Sequence, residues 1–555
     1  MPPSPKILVI SITRMGDIIQ SIPFFRRLRR RNPGAEIHVL VERCFADVAA
    51  FLPEVDRLHT IQLEDLLPDL ASGRNGDLSG ATAFYRDFIG QFRAANYSEV
   101  WNLTHTRPST ILNYLLAAEN GRGVTLDSLG LQRVNSPWLI YFFATNLARP
   151  WCQFNLVDIY ANCIDQVEWL SGRSLSIPDQ NKNTDISHLR LSPSARWRIA
   201  VHPGASQSSK QWPVEQYRAV VQQLSRRHNV EIVVVGGKRD RNLGNVFAGM
   251  PRVVNAIGET TVPQLTALLS QTHLLLSNDS GPMHIAAAVG TRVLDITVGS
   301  ALGHETAPYG EGHVVLEPDI DCFPCSPFAS CSTGLCSAKI QPDTVAVLVG
   351  WMLGWQPAPL ESELRGSRVY QTGFSGTDGM LDLAQIFHSA PCGRDELHKF
   401  IRPVWLSVLE NQPSRSLTSD VRIPREVSRR AAAALTLARQ AKGFAAQLAR
   451  AAHNPSEFLP TIKNLGELLS LAEADLSSSL RHHGLLRSFD VYSGIARASL
   501  AADDLVRQAE ETADIYDRMI QLLRPLAEVV SPGISQTKYI PSLVEESYEN
   551  LTEWA

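Results

Sequence analysis

Asp17 stands just past the apolar run Lys6-Ile-Leu-Val-Ile10, reached through Arg14-Met-Gly. A carboxylate beyond the C-terminal end of a first strand faces the crevice where open α/β sheets bind ligands, and there it can accept a proton from an incoming hydroxyl. It can equally cap the helix that begins beside it. The same turn holds one glycine, Gly16, and lacks the three-glycine fingerprint that seats a dinucleotide pyrophosphate, which argues against a nicotinamide-dependent oxidoreductase.

Two later segments have the chemistry of an anion site. His202-Pro-Gly-Ala-Ser206 ends a strand-like run, and Lys210 and Trp212 follow before a helix. Small residues allow close backbone approach, the Ser206 hydroxyl can donate to phosphate, and the Lys210 ammonium offsets its charge. Alone, the segment also reads as an ordinary strand-to-helix loop with a solvated lysine. Ser277-Asn-Asp-Ser-Gly-Pro-Met-His284 lies between an apolar strand and the helical Ile285-Ala-Ala-Ala-Val289. Pro282 suits a first helical turn, the amides there carry partial positive charge, and His284 adds a donor. The plainer reading makes Asp279 or Ser280 a helix cap and His284 a satisfied, partly buried histidine.

Cys322, Cys325, Cys331 and Cys336 form a C-x2-C-x5-C-x4-C cluster. Four thiolates within fifteen residues can surround zinc or iron, and Pro324, Pro327 and Gly334 can turn the chain tightly enough to gather them. Reduced thiols or reversible disulfides are the alternatives. The cluster is expected to be structural and to take no part in chemistry.

These residues need a scaffold that repeats strand, loop and helix. Lys6–Ile10, a helix over Ile18–Arg31 stopped by Asn32-Pro-Gly34, and the strand Glu36–Val41 make a β-α-β unit, which implies a parallel sheet covered by helices. Tyr97–Leu103 reads as a further strand, Asn155–Ser171 as a helix and Leu63–Ala83 as an irregular insertion. The alternation restarts at Trp197–Val201 and continues through helix Val214–Arg227, strand Val230–Val235, helix Val262–Ser270, strand His273–Ser277 and helix Pro282–Val289. This is the pattern of a second doubly wound sheet. From about Pro357 the strand signal fades, and 425–530 is rich in Ala, Leu, Arg and Glu at helical spacing. The expected organisation is an N-terminal Rossmann-like domain over 1–180, a second over 195–355, and an all-helical appendage over 356–555.

A chain of 555 residues is long enough for two or three cores. Its 44% hydrophobic and 19% charged residues are ordinary globular usage. With 52 Lys plus Arg against 56 Asp plus Glu there is no cationic field to collect phosphodiester backbones, which argues against nucleic acid as a partner. No apolar run approaches the roughly 20 residues of a membrane span, and the N-terminus enters the first strand without a signal-peptide core. The expected location is therefore cytoplasmic.

Arg14-Met-Gly-Asp17, Asn32-Pro-Gly-Ala-Glu-Ile, His202-Pro-Gly-Ala-Ser206, Lys210-Gln-Trp-Pro213, Gly236-Gly237 and Asn278-Asp-Ser-Gly-Pro-Met-His284 resemble, in order and spacing, the pattern of glycosyltransferase family 9, the heptosyltransferases of bacterial lipopolysaccharide assembly. The resemblance runs from about residue 6 to 350. It implies a GT-B fold of two Rossmann-like domains facing across a cleft. It also implies inversion at the anomeric carbon, no cofactor required for catalysis, and Asp17 as the base that activates the acceptor hydroxyl. Donor-binding roles carried over by position fall on Ser206, Lys210, Asp240, Asp279, Ser280, Gly281 and His284. Asp240 stands where the family usually has a ribose-binding glutamate, and Ser280 where it commonly has threonine. Some related protein heptosyltransferases hold iron at a Cys-rich stretch like the one here.

The implied partners are a nucleotide diphosphate sugar, ADP-heptose above all, and a glycolipid or surface-glycan acceptor, with peripheral contact at the inner membrane. Arg26-Arg-Leu-Arg-Arg-Arg31 could face such an anionic surface, or simply be a solvated helix end. Transfer to a protein such as flagellin or an autotransporter, and a non-catalytic GT-B scaffold, are the competing functions.

Overall fold

The computed structural model describes residues 4–62, 78–117, 120–127, 129–164, 175–227, 229–326, 331, 333–388, 393–411, 423, 425–453, 455–481, 483–500 and 504–528. The chain divides into two compact units. The first comprises Met1–Gly121 and Phe154–Ser389, the second Arg122–Gln153 and Ala390–Ala555.

The first unit contains two Rossmann-like halves. In the N-terminal half β1 (Lys6–Ile10), β2 (Glu36–Glu42), β3 (Arg57–Ile61) and β4 (Glu99–Asn102) lie in the order β3-β2-β1-β4, all parallel. Val9 is opposite Val39 and Trp101 across the two central ladders. Because β1 is flanked on both edges and covered on both faces, its side chains from Ile7 to Ile10 are essentially inaccessible, which is why the run is apolar without alternation. Helix Ile22–Arg31 starts with Pro23 in its first turn and buries Phe24, Phe25 and Leu28. The expected irregular insertion at Leu63–Ala83 falls largely on residues 63–77, outside the described residues, and a helix runs from Leu78 to Ala94. Helix Leu156–Asn162 is shorter than expected, and residues 165–174 are again outside the described residues.

The basic run of helix Ile22–Arg31 is occupied within the protein. Arg27 is buried and donates to the Ala161 carbonyl and to Asn162, Arg26 donates to Ser176, Arg29 pairs with Asp56 and Arg31 with Glu99. Arg30 and Arg31 at the helix end stay exposed, in keeping with a solvated end, while the rest of the run is held by intramolecular partners.

After a β5–β6 antiparallel pair (Gly121–Leu126 and Gln132–Val134) that, from Arg122 on, belongs to the second unit, the second half follows. Its strands are β7 (Trp197–His202), β8 (Val230–Val234), β9 (Val253–Asn255), β10 (Leu274–Asn278), β11 (Arg292–Ile296), β12 (Val314–Pro318), β13 (Ser367–Phe374) and β14 (Leu381–Ile386), in the order β14-β13-β12-β11-β10-β7-β8-β9. The last two are antiparallel, and β13 pairs with β12 so that Leu316 is opposite Val369. The strand signal thus continues past Pro357, in a hairpin whose polar turn Ser375–Gly379 disguised it. The core of this half is built from Val201, Trp212, Tyr217, Ile232, Leu276, Leu294, Leu316 and Val369.

The second unit is dominated by helices, including Gly393–Leu409, Arg425–Ala452, Pro455–Arg481, Gly484–Ala498 and Leu505–Glu528. A C-terminal all-helical region therefore exists, beginning at Gly393. Helix Arg425–Ala452 buries a stripe of small residues, Ala431, Ala434, Ala438, Ala441 and Ala445, each with no exposed surface. The unit's aromatic centre is Trp405, with ring centroids 4.9 Å from Tyr141, 5.2 Å from Phe489 and 5.4 Å from Tyr492. Tyr141 belongs to helix Pro137–Leu147, so the early segment supplies part of this core. Among the described residues no helix is long and apolar enough to cross a membrane.

Candidate functional site

The ends of β1, β7 and β10 bring residues separated by more than 250 positions into one cluster within the first unit. Asp17 follows β1 and sits in the first turn of helix Met15–Gln20, where Arg14, not Asp17, occupies the N-cap. The capping alternative for Asp17 is thus not realised. Burial pushes its carboxyl above the usual range, with Asp279 and Glu305 adding to the rise, while Arg14 and Lys210 oppose it. A carboxylate so placed is a stronger base than one in water.

The loop around Asp17 lies against the helix that follows β10. A β-carbon on Gly16 would meet His284 Cδ2 at 3.1 Å, and one on Gly281 would come within 2.1 Å of Met15 Cε. Glycine at both positions lets the two halves approach.

On the second half, Lys210 closes a short helical turn, Ser208–Lys210, and its Nζ lies 3.1 Å from Asp279 Oδ2 in a largely buried ion pair. Burial alone would raise the Asp279 pKa, but Lys210 and His284 hold it below the ordinary value. His284 is buried and pushed down to about 4, so its imidazole is neutral at neutral pH. Its Nδ1 is inaccessible and finds no hydrogen-bond partner among the described residues, which speaks against the satisfied-histidine reading. Ser206 is exposed in the same loop as Lys210.

Ser280 is the N-cap residue of helix Gly281–Ala288, yet its side chain makes no capping hydrogen bond. Its hydroxyl lies 2.9 Å from His202 Nδ1 and 3.0 Å from Ser277 Oγ. Asp240 turns inward: its Oδ2 accepts the Gly237 N–H at 2.8 Å and lies 3.9 Å from His202 Nε2.

Several groups in the cluster carried no role in the sequence reading. Asn278 ties the two loops together, accepting the Trp212 N–H at 3.0 Å and donating to the Pro203 and Gly204 carbonyls. Tyr160 and Glu305 both come electrostatically close to Asp17 from distant helices. No local pattern marks Glu305, which lies in a one-turn helix after β11.

The cysteines are only partly gathered. Cys325, Cys331 and Cys336 line one pocket together with Gln207, Ser209 and Ser300. Among the described residues no three His, Cys, Asp or Glu side chains are arranged to hold a metal ion. The four thiols in this arrangement do not make the expected zinc or iron shell.

Comparison with known proteins fits this architecture. Residues 91–331 match the family model "Glycosyltransferase family 9 (heptosyltransferase)". The chain is 26% identical over 301 residues to lipopolysaccharide heptosyltransferase 3 of Escherichia coli, covering 51% of this chain and 80% of that protein. It is 21% identical over 327 residues to lipopolysaccharide heptosyltransferase 1 of Pseudomonas aeruginosa, covering 58% and 86%. Among solved structures, the E. coli ADP-heptose lps heptosyltransferase II aligns at a TM-score of 0.46 and 19% identity, over 64% of this chain and all of the other.

The first unit's two Rossmann-like halves are the GT-B arrangement, and the sequence similarity to heptosyltransferases makes the protein a glycosyltransferase. Over residues 91–331 the chain is similar to glycosyltransferase family 9.

Proposed function

We infer that the protein transfers heptose from ADP-heptose to a lipopolysaccharide-core acceptor, with inversion at the anomeric carbon. The observation that carries this reading is the meeting of Asp17 from one half with Lys210, Asp279 and His284 from the other. Asp17 takes the proton of the acceptor hydroxyl as its oxygen attacks the anomeric carbon. The bond to the diphosphate breaks on the opposite face, so a single displacement inverts the centre.

Charge building on the leaving diphosphate meets the Lys210 ammonium, the helix end at Ser280–Gly281 and a neutral His284 able to donate. Asp279, itself negative, serves by holding Lys210 in place. Ser206 adds a hydroxyl from the same loop. A lipid-anchored acceptor brings the enzyme to the cytoplasmic face of the inner membrane. The named relatives, which are lipopolysaccharide heptosyltransferases, support this choice of sugar and acceptor.

The test is transfer from ADP-heptose to lipopolysaccharide lacking its heptose, measured with native protein and with Asp17→Asn. Removing a general base costs about 100- to 10,000-fold in rate. Affinity for ADP should stay within about two-fold, since the base acts on the acceptor. Near-normal turnover in Asp17→Asn would remove the residue from this role.

A further inference from the structure

His202, Asp240 and Ser280 form a chain of polar contacts behind the proposed diphosphate position. His202 is the last residue of β7, and the ladder between β7 and β10 sets it opposite Ser277. That register places the imidazole, 5% exposed, beneath the loop that carries Ser280. Nδ1 is 2.9 Å from Ser280 Oγ, and Nε2 faces Asp240 Oδ2 at 3.9 Å.

The carboxylate of Asp240 has a shaped seat. A β-carbon on Gly204 would lie 2.8 Å from its Oδ1, and one on Gly236 would lie 3.0 Å from Oδ2. The Gly237 N–H fixes Oδ2 from the backbone. Two glycines thus leave room for this side chain to point toward His202.

Ser280 shows the consequence. A serine at an N-cap ordinarily accepts an N–H from the first helical turn. Here the hydroxyl is held by His202 and Ser277, so the start of helix Gly281–Ala288 keeps no side-chain cap. The amide end and the hydroxyl are then presented side by side.

We propose that His202 and Asp240 are positioning residues for the donor diphosphate: Asp240 fixes the imidazole, and the imidazole fixes the Ser280 hydroxyl beside the helix end. This rests on the donor reading above. It gives Asp240 an inward role in place of a ribose contact.

A double-mutant cycle on ADP affinity, by calorimetry on the full chain, tests the proposal. Ser280→Ala and His202→Leu should each weaken ADP by about ten-fold, the scale of one hydrogen bond to a charged group. The double variant should be no worse than either, whereas independent residues would multiply to about a hundred-fold. His202→Asn, which keeps a polar atom near the Nδ1 position, should recover most of the loss. Asp240→Asn should weaken ADP and 2′-deoxy-ADP by the same factor. Multiplying losses, or a preference for ADP over its 2′-deoxy form that collapses in Asp240→Asn, would overturn the relay.

The nitrogen-15 shift of His202 Nδ1 in nucleotide-free protein reads the contact independently. It should move in Ser280→Ala, and an unmoved resonance refutes the chain. A protein that shows this shift but binds no ADP would overturn the donor reading and leave the relay standing.

Discussion

The Lys210 ammonium meets a carboxylate before any ligand arrives, 3.1 Å away at Asp279. A diphosphate must share that cation, and Asp279 left without it would repel the ligand. Lys210→Ala should therefore weaken ADP by more than the roughly 10- to 100-fold expected for one charged hydrogen bond. Lys210→Ala with Asp279→Asn should bind better than Lys210→Ala alone. Calorimetric titration of both variants checks this, and equal affinities would mean that Asp279 does not face the anion. Asp17, Lys210, Asp279 and His284 were legible because each follows an apolar run closely, and strand ends in parallel sheets converge. His202 was read only as the end of a strand. Its role depends on a neighbouring strand's register, and Glu305 depends on a crossover that no local pattern encodes.

At the scale of elements, the alternation of strand and helix was read as far as β10 and the helix after it, and helix Val262–Ser270 has the expected bounds, its start fixed by a capping box of Thr261 and Gln264. The helix Pro137–Leu147 was harder. Its sequence is apolar nearly all round, with Trp138, Leu139, Tyr141 and Phe142 buried, so no amphipathic stripe shows which partner it needs. That partner lies more than 240 residues later, at Trp405, Phe489 and Tyr492. The helical region therefore cannot be removed by simple truncation. A chain ending at residue 389 should aggregate, because Tyr141 and its neighbours lose their cover. Replacing 122–153 with a short polar linker in that truncated chain should restore a monodisperse protein. Size-exclusion chromatography of the two forms decides it; a monodisperse chain ending at 389 without the replacement would contradict the assignment.

Taken whole, the molecule is made sensitive to acid by buried neutral histidines. His284, His313 and His398 are buried and each is pushed down to about 4. His313 Nδ1 accepts the Val293 N–H, and His398 Nε2 donates to the Pro150 carbonyl. A folded-state pKa below the unfolded value means that stability is present above about pH 6.5 and is lost as pH falls toward 4. The loss is about 1.4 kcal/mol per pH unit for each histidine that must take up a proton on unfolding. The raised carboxyls of Asp17, Asp295 and Asp490 act in the opposite sense, while lowered carboxylates such as Asp56, Asp127 and Asp279 add to the acid sensitivity. Urea midpoints should fall steeply between pH 7 and 5, and a flat profile would show that these imidazoles are charged in the folded state. The divided second unit also sets a clock. During synthesis Arg122–Gln153 leaves the ribosome about 240 residues before Ala390. At 5–20 residues per second that interval is roughly ten to fifty seconds. Through that time Trp138, Tyr141 and Phe142 have no native partner from the C-terminal segment, and the nascent chain carries their apolar surface without its native cover.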